Sequence, residues 1–223
     1  MSDRIIAIGD IHGCSETLSS LLLIIKPDKT DTLVFIGDYI DRGPRIKQTI
    51  DQLINLKESG YNTVFILGNH EKLLLDALTS PRQMHIWLFN GADETLSSFG
   101  ISSITKLNKK YIQFFTKLKH YHTTGNYMFS HAGFADNSTK ALVDIEKMLW
   151  TRNEIYRDPF FRNKQIIHGH TPIPVSELQQ RIKNQSNVFN IDTGCVYTRR
   201  ENLGFLTAIE FPSKKLCSHK NID

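Results

Sequence analysis

Five short clusters in this chain hold the residue types that bind cations and move protons. GDIHG carries Asp10 and His12, GDYIDRGP carries Asp38, Asp41 and Arg42, and GNHE carries Asn69 and His70, while HAG and GHT add His131 and His170. Carboxylates, an amide oxygen and imidazoles form the donor set that a pair of hard or borderline divalent cations takes, such as Mn2+, Fe2+ or Zn2+, and no thiolate is among them. Taken singly, each cluster has an ordinary explanation: GDIHG is an acidic turn, and Asn69 of GNHE caps a helix. Five together need a shared explanation, because so many polar groups at the ends of apolar segments are costly to bury without a positive partner.

The runs ahead of the first three clusters, RIIAIG, TLVFIG and TVFIL, are short and apolar and read as strands. Helix-like stretches follow them at Glu16 to Ile25, Ile46 to Ser59 and Lys72 to Leu78. That alternation implies βαβ units and a parallel sheet. Ligands of such sheets sit at the carboxyl ends of strands, where all three clusters lie. From Pro81 to about Leu118 the spacing around MHIWLFNGADETLSSFG is helical and predicts a helical layer or lid. From Asn126 onward NYMFSHAG, KQIIHGHT, SNVFNIDTG and GFLTAIEF read as strands separated by short polar turns, with no long helix between them. They predict a second sheet, largely antiparallel or mixed. The expected architecture is α/β: two mixed β-sheets packed as a sandwich and flanked by helices, in one domain spanning residues 1–223.

Composition narrows the function. With 223 residues, 40% of them apolar, the chain can bury a substantial core. No apolar run exceeds about five residues, as in Leu21 to Ile25, far short of the roughly 20 that cross a bilayer. The start MSDRIIAIGD meets an acidic residue before any signal-like apolar region, so a cytoplasmic location and no membrane partner are expected. Cys14, Cys195 and Cys217 are too few and too scattered for a disulfide framework and are read as reduced and mostly packed. The net charge of +4 is spread without a basic tract, so no nucleic-acid partner is expected.

The ordered set GDIHG, GDYIDRG, GNHE, HAG and GHT resembles the phosphoprotein phosphatase branch of the calcineurin-like metallophosphoesterases. The likeness runs from residue 5 to about residue 210, takes in WLFNGADETLSSFG and LWTR, and is strongest to the small bacterial and phage serine/threonine phosphatases. It implies the αββα fold and two divalent cations, Mn2+ foremost, with Fe2+ or Zn2+ as alternatives. It implies that Asp10 and His12 hold the first cation, that Asp38 bridges both, and that Asn69, His131 and His170 hold the second. Two cations about 3.5 to 4 Å apart activate water and clamp phosphoryl oxygens, so water would attack phosphorus with no phosphoenzyme. In that pattern Asp41 is no ligand: it orients His70 and keeps it protonated, as general acid on the departing alkoxide. Arg42 and Arg152 would grip phosphate oxygens, with Asn69 also facing the substrate.

The implied activity is a protein serine/threonine phosphatase acting on a phosphoprotein, or on a phosphorylated small molecule. The alternative is hydrolysis of dinucleoside polyphosphates, because bacterial relatives with a similar GDIHGC start do that chemistry. Symmetrical tetraphosphatases usually carry alanine where this chain has Asp41, and an anhydride needs little acid help, so Asp41 favours phosphomonoesters. Other residues read as structural. Glu71 starts a helix, favoured there by the dipole, and Asp192 of IDTGC holds a turn. His168 has no role, and His85, His120, His122 and His219 are ordinary surface or partly buried side chains. Tyr197, Arg199 and Arg200 form a solvated loop, and Trp87 and Trp150 pack.

Overall fold

The computed structural model describes residues 4–223. Strand β1 (Ile5–Ile8) pairs in parallel with β2 (Thr32–Phe35), and β2 with β3 (Asn62–Phe65), so that Ile5 faces Thr32 and Thr32 faces Asn62. Helices α1 (Ser15–Ile25) and α2 (Ile46–Glu58) make the crossovers, as the apolar spacing Leu18, Leu21, Ile25 and Ile46, Ile50, Leu53 predicts. Helix α3 (Asn69–Ala77) starts earlier than the expected Lys72, because Gly68 is its N-cap and the Glu71 carboxylate accepts the Gly68 N–H at 3.1 Å over the first turn. The helical middle is α4 (Pro81–Leu88), α5 (Ala92–Phe99) and α6 (Lys109–Thr116). Ser80 and Asn108 cap α4 and α6 with their side-chain oxygens.

The second half departs from expectation in two ways. Its sheet holds β4 (Tyr121–Thr124) antiparallel to β5 (Tyr127–Ser130), and then β5, β6 (Gln165–His168) and β7 (Val188–Asn190) all parallel. It is therefore mixed with a parallel majority, and helices do intervene: α7 (Ile145–Trp150) before β6, and α8 (Val175–Lys183) between β6 and β7. Helix α8 buries Leu178 fully, with Val175 and Ile182 partly buried, so the i, i+3, i+7 spacing of these three residues in VSELQQRIK marks it as a helix. The segment GFLTAIEF, expected in this second sheet, instead crosses to the first. There β8 (Phe205–Phe211) runs antiparallel to β1, with Ile5 opposite Phe211, and β9 (Lys215–Lys220) pairs outside it.

The strand order β3-β2-β1-β8-β9 then packs on β4-β5-β6-β7. Period-two alternation assigns the faces. Ile5, Ala7, Val34, Ile36, Val64, Ile209 and Phe211 meet Phe129, Ile167, Phe189 and Ile191 of the other sheet. Ile6, Ile8, Leu33, Phe35, Leu206 and Ala208 turn outward, under the helices of the first half. Met128, Ile166 and Val188 face Phe134, Met148 and Phe161 on the far side. This is the expected sandwich flanked by helices, and the carboxyl ends of β1, β2, β3, β5 and β6 open at one rim.

One long-range cap ties the chain's last described residues to that rim. The N-cap of α1 is Cys14, which makes no side-chain cap. Asp223 supplies it from the other end of the sequence, accepting N–H bonds from Glu16 at 3.1 Å and Thr17 at 3.0 Å, and an O–H bond from Thr17 at 2.7 Å. Replacing Asp223 with Ala should therefore cost about 1 kcal/mol of stability and lower Tm by roughly 2–4 °C. Denaturant titration of the two proteins measures this, and an unchanged midpoint would remove the cap from the account.

Candidate active site

The loop after β1 carries Asp10 and His12, the loop after β2 carries Asp38, Asp41 and Arg42, and Asn69 and His70 open α3. His131 and His170 follow β5 and β6. Backbone bonds knit these loops together: the Asp38 carbonyl accepts N–H from Ile11 at 3.1 Å and from His12 at 2.8 Å. A Cβ on Gly68 would collide with the Asp38 N and Oδ1, so only glycine lets the third loop come this close. His12, Asp38, Asp41, Arg42 and His170 all adopt left-handed backbone, with φ between 46° and 73°. Such strain costs on the order of 1–3 kcal/mol per residue and persists only where surrounding contacts impose it.

Glu71 is one of those contacts, and its role exceeds the expected helix start. It is fully buried, and its carboxylate accepts N–H bonds from Asp38 (3.0 Å), Tyr39 (2.8 Å), Ile40 (3.2 Å) and Gly68 (3.1 Å). The second and third loops are thus clamped by one side chain. An acid placed right after a helix start and followed by apolar residues was the only signal, and it does not say what the acid reaches.

Two groups of donor atoms converge around Asp38. His131 spends its Nδ1 hydrogen on the Ile36 carbonyl at 3.0 Å, which leaves the Nε2 lone pair facing Asn69 Oδ1 at 2.8 Å and Asp38 Oδ1 at 3.4 Å. His170 Nδ1 joins them, 3.2 Å from His131 Nε2 and 3.0 Å from Asn69 Oδ1. On the other side His12 donates from Nδ1 to the Ile40 carbonyl at 2.7 Å, and its Nε2 lies 3.6 Å from Asp38 Oδ2. Asp10 Oδ2 accepts the His170 N–H at 3.1 Å, whereas Asp10 Oδ1 is buried with no hydrogen-bond partner among the described residues. Acceptors that face acceptors at these separations repel one another unless a cation lies among them. The oxygen and imidazole donors fit divalent cations: His12, Asp38 and His70 converge in one group and Asp38, His131 and His170 in the other, with Asp38 common to both.

The electrostatics carry the same message. Burial opposes the charged form of Asp38, but His131, His70, His12 and His170 together hold its carboxyl well below the usual carboxylate range. Burial, Asp192 and Asp38 push Asp10 well up. Burial, with Asp38 adding to it, lifts Glu71 to about 8 and Asp192 to about 7. Burial pulls His12 and His170 down to about 3. The centre therefore crowds acids that resist ionisation beside imidazoles that are already neutral: His12 and His170 are in the form that ligation requires, and a cation would have to displace the Asp10 proton.

Beside it, His70 Nδ1 donates to Asp41 Oδ2 at 2.7 Å, and both side chains are buried. His70 Nε2 lies 3.9 Å from Asp38 Oδ2, next to the cation-suited atoms, and His70 lines a cleft of about 260 Å³. Arg42, Arg152, Trp150 and Tyr197 line it too. A wider hollow of about 580 Å³ beside Gly43, Pro44 and Glu94 gathers no comparable set of donors. Arg42 Nη1 sits 2.9 Å from His12 Nε2, so the lone pair that suits a cation accepts from arginine here. Arg152 is exposed at the cleft and has no ion pair among the described residues. Its loop is held by Glu154, which pairs with Arg181 and approaches His168 Nε2 at 3.6 Å.

Two aromatic expectations change, and a third gains a partner. Trp150 is 41% exposed, its ring edge-on to His170 at 5.9 Å, so it is a cleft wall and not a packing residue. Tyr197 is half-buried in the cleft, with Arg200 stacked on its face at 4.6 Å and Arg42 at 5.8 Å, so this part of the loop leans over the site. Trp87 is fully buried as expected, yet it also donates from Nε1 to Asp41 at 2.9 Å. Asp192 accepts the Gly194 N–H at 2.9 Å, in keeping with a turn.

The sequence model of the calcineurin-like phosphoesterases matches residues 3–203. The chain is 31% identical to serine/threonine-protein phosphatase 1 of Salmonella typhimurium, over 85% of this chain and 86% of that protein. It is 30% identical to the asymmetrical bis(5'-nucleosyl)-tetraphosphatase PrpE of Oceanobacillus iheyensis, over 96% of this chain and 91% of that one. A protein serine/threonine phosphatase from Saccharomyces cerevisiae superposes with a TM-score of 0.69 at 16% identity, covering 99% of this chain and 81% of the other.

The raised acids and depressed imidazoles make a signed forecast. A depressed imidazole withdraws stability only as pH falls below its ordinary value near 6.5, whereas a raised acid withdraws it as pH climbs to the folded pKa. Between pH 6.5 and about 8, Glu71 dominates the change. With chelator present, Tm should fall across that window, and Mn2+ should raise Tm and flatten the slope. A level or rising Tm with chelator would contradict the crowding of carboxylates described above.

Proposed function

Because the chain belongs to the calcineurin-like phosphoesterase family and its activity is that of a metallophosphoesterase, we propose that its substrate is a phosphomonoester and that it is a protein serine/threonine phosphatase. In this reading residues 1–223 act as one catalytic domain. Asp10, His12 and Asp38 would hold one divalent cation, and Asp38, Asn69, His131 and His170 a second, with Mn2+ the expected metal. When bound, the cations supply Lewis acidity toward phosphoryl oxygens and lower the pKa of a water into the neutral range. Water attacks phosphorus directly, without a phosphoenzyme.

The chain's own residues do the rest. Arg42 and Arg152 take phosphate oxygens in planar forks, and the developing charge in the transition state strengthens those bonds. Arg42 Nη1 donates to His12 Nε2 at 2.9 Å, and with that lone pair committed to a cation the guanidinium would be free for phosphate. Asn69 offers its amide to the same oxygens. The observation that carries the proposal is the 2.7 Å bond between Asp41 and His70. A carboxylate that accepts from Nδ1 fixes the ring and leaves Nε2 to give a proton to the departing oxygen.

A second reading stands on the tetraphosphatase relative, at 30% identity over nearly the whole chain. The aromatic walls Trp150 and Tyr197 would suit a base. Against it, an anhydride expels a weakly basic phosphate and has little use for the Asp41–His70 pair.

The two readings part on the leaving group. Asp41→Asn and His70→Asn should lower kcat/KM most for a phosphoserine peptide, less for an aryl phosphate and least for a dinucleoside tetraphosphate. Steady-state kinetics on the Mn2+-loaded protein, with bound metal quantified, measures this. Equal losses on all three would remove the acid from His70, and a wild-type preference for the dinucleotide by a wide margin would promote the second reading. Arg152→Ala should cut kcat/KM for the peptide by about 10- to 1000-fold at full metal content. Metal loss in that variant would reassign Arg152.

A further inference from the structure

The acid pair does not stand alone. Asp41 Oδ2 accepts from His70 Nδ1 and also from Trp87 Nε1, at 2.7 and 2.9 Å. Asp41 Oδ1 accepts from Thr95 Oγ1 at 2.5 Å, and the Asp41 N–H returns to the same hydroxyl at 3.1 Å. Trp87 lies on α4 and Thr95 on α5, and both are fully buried. Every donor to this carboxylate other than His70 therefore comes from the helical layer, outside the five motifs. The layer also meets the loop through its backbone, where the Arg42 N–H reaches the Gly91 carbonyl at 3.4 Å.

A carboxylate with a single charged-form partner can turn about its χ2 torsion, which is broad. One bonded at both oxygens cannot turn without losing a bond. Donors to the charged form also keep a buried carboxylate an acceptor, whereas burial alone favours the protonated acid, which would offer its own hydrogen to the His70 ring.

Building on the acid role assigned above, we propose that Trp87 and Thr95 are positioning residues for leaving-group protonation: together they hold the Asp41 carboxylate as the acceptor for His70 Nδ1, which makes the α4–α5 layer a working part of the reaction. The bland alternative is that the indole and the hydroxyl simply found the nearest acceptor in a core where each needs one. That alternative predicts losses blind to the substrate.

Trp87→Phe removes the N–H and keeps most of the ring, Thr95→Val removes the hydroxyl at nearly constant shape, and Thr95→Ser keeps the hydroxyl. For Trp87→Phe and Thr95→Val, kcat/KM for a phosphoserine peptide should fall about 10-fold further than for an aryl phosphate, the scale of one lost bond to a charged group. Thr95→Ser should restore most of the difference, and bound metal should stay at the wild-type level. The low-field proton resonance of His70 Nδ1 should move upfield in Trp87→Phe and Thr95→Val, a readout that needs no turnover. If the indole is required for folding, Thr95→Val and its serine rescue decide the matter. Equal losses on both substrates, or an unmoved resonance, would overturn the proposal. Asp41→Asn run alongside separates the levels. If it shifts the substrate ratio while the Trp87 and Thr95 variants do not, only this inference fails. If Asp41→Asn leaves the ratio unchanged, the acid role fails and this inference falls with it.

Discussion

The Asp38 carboxylate is 2% exposed and meets imidazoles on both sides, with His131 Nε2 3.4 Å from Oδ1 and His12 Nε2 3.6 Å from Oδ2. A buried charge without a partner is among the most costly features a fold can contain, so what surrounds it is not free to vary. The backbone of the same residue is equally committed: its N–H goes to Glu71 and its carbonyl to Ile11 and His12. Loops from three parallel strands are thereby pinned to one residue. The remaining ligands are held where a sheet holds things well, at the ends of strands.

That pinning explains why the site tolerates strain. Five of its residues carry left-handed backbone that only glycine adopts at no cost. The conformations persist because they are over-determined, by the four N–H bonds to Glu71 and by the close approach of Gly68 to Asp38. Buried apolar surface in the three side-chain clusters supplies the stability that this arrangement consumes. The division of labour is spatial, with a sandwich of β-branched and aromatic side chains below and a polar, strained rim above.

The aromatic walls of the cleft and the support of the proposed acid come from residues outside the five clusters. The cleft takes its walls from Trp150, at the end of α7, and from Tyr197, in the loop before β8. The proposed proton donor takes its support from α4 and α5. A relative could keep every donor around Asp38 and change its preferred leaving group by altering these elements alone.

Much of this is written in the sequence itself. The first three strands and α1 and α2 follow from local alternation and apolar spacing, and the five clusters announce their chemistry because polar residues repeated at strand ends have few other uses. His12 and Asp38 come together with His70; Asn69, His131 and His170 gather on the other side of Asp38; Asp10 meets the His170 backbone; and Asp41 meets His70. Other features were faint or invisible for physical reasons. The stripe Val175, Leu178 and Ile182 of α8 is a weak signal, three apolar residues among six polar ones between two strand-like runs. The strand β8 is apolar on both faces, so its composition cannot say which sheet it joins, and the pairing with β1 is settled by long-range packing. The reach of Glu71 across two loops, and of Trp87 and Thr95 to Asp41, spans 31 to 54 positions of sequence. Side-chain type alone determines that such groups need a partner when buried, and only the tertiary structure decides which partner, because that choice is made by the geometry of elements folded against each other.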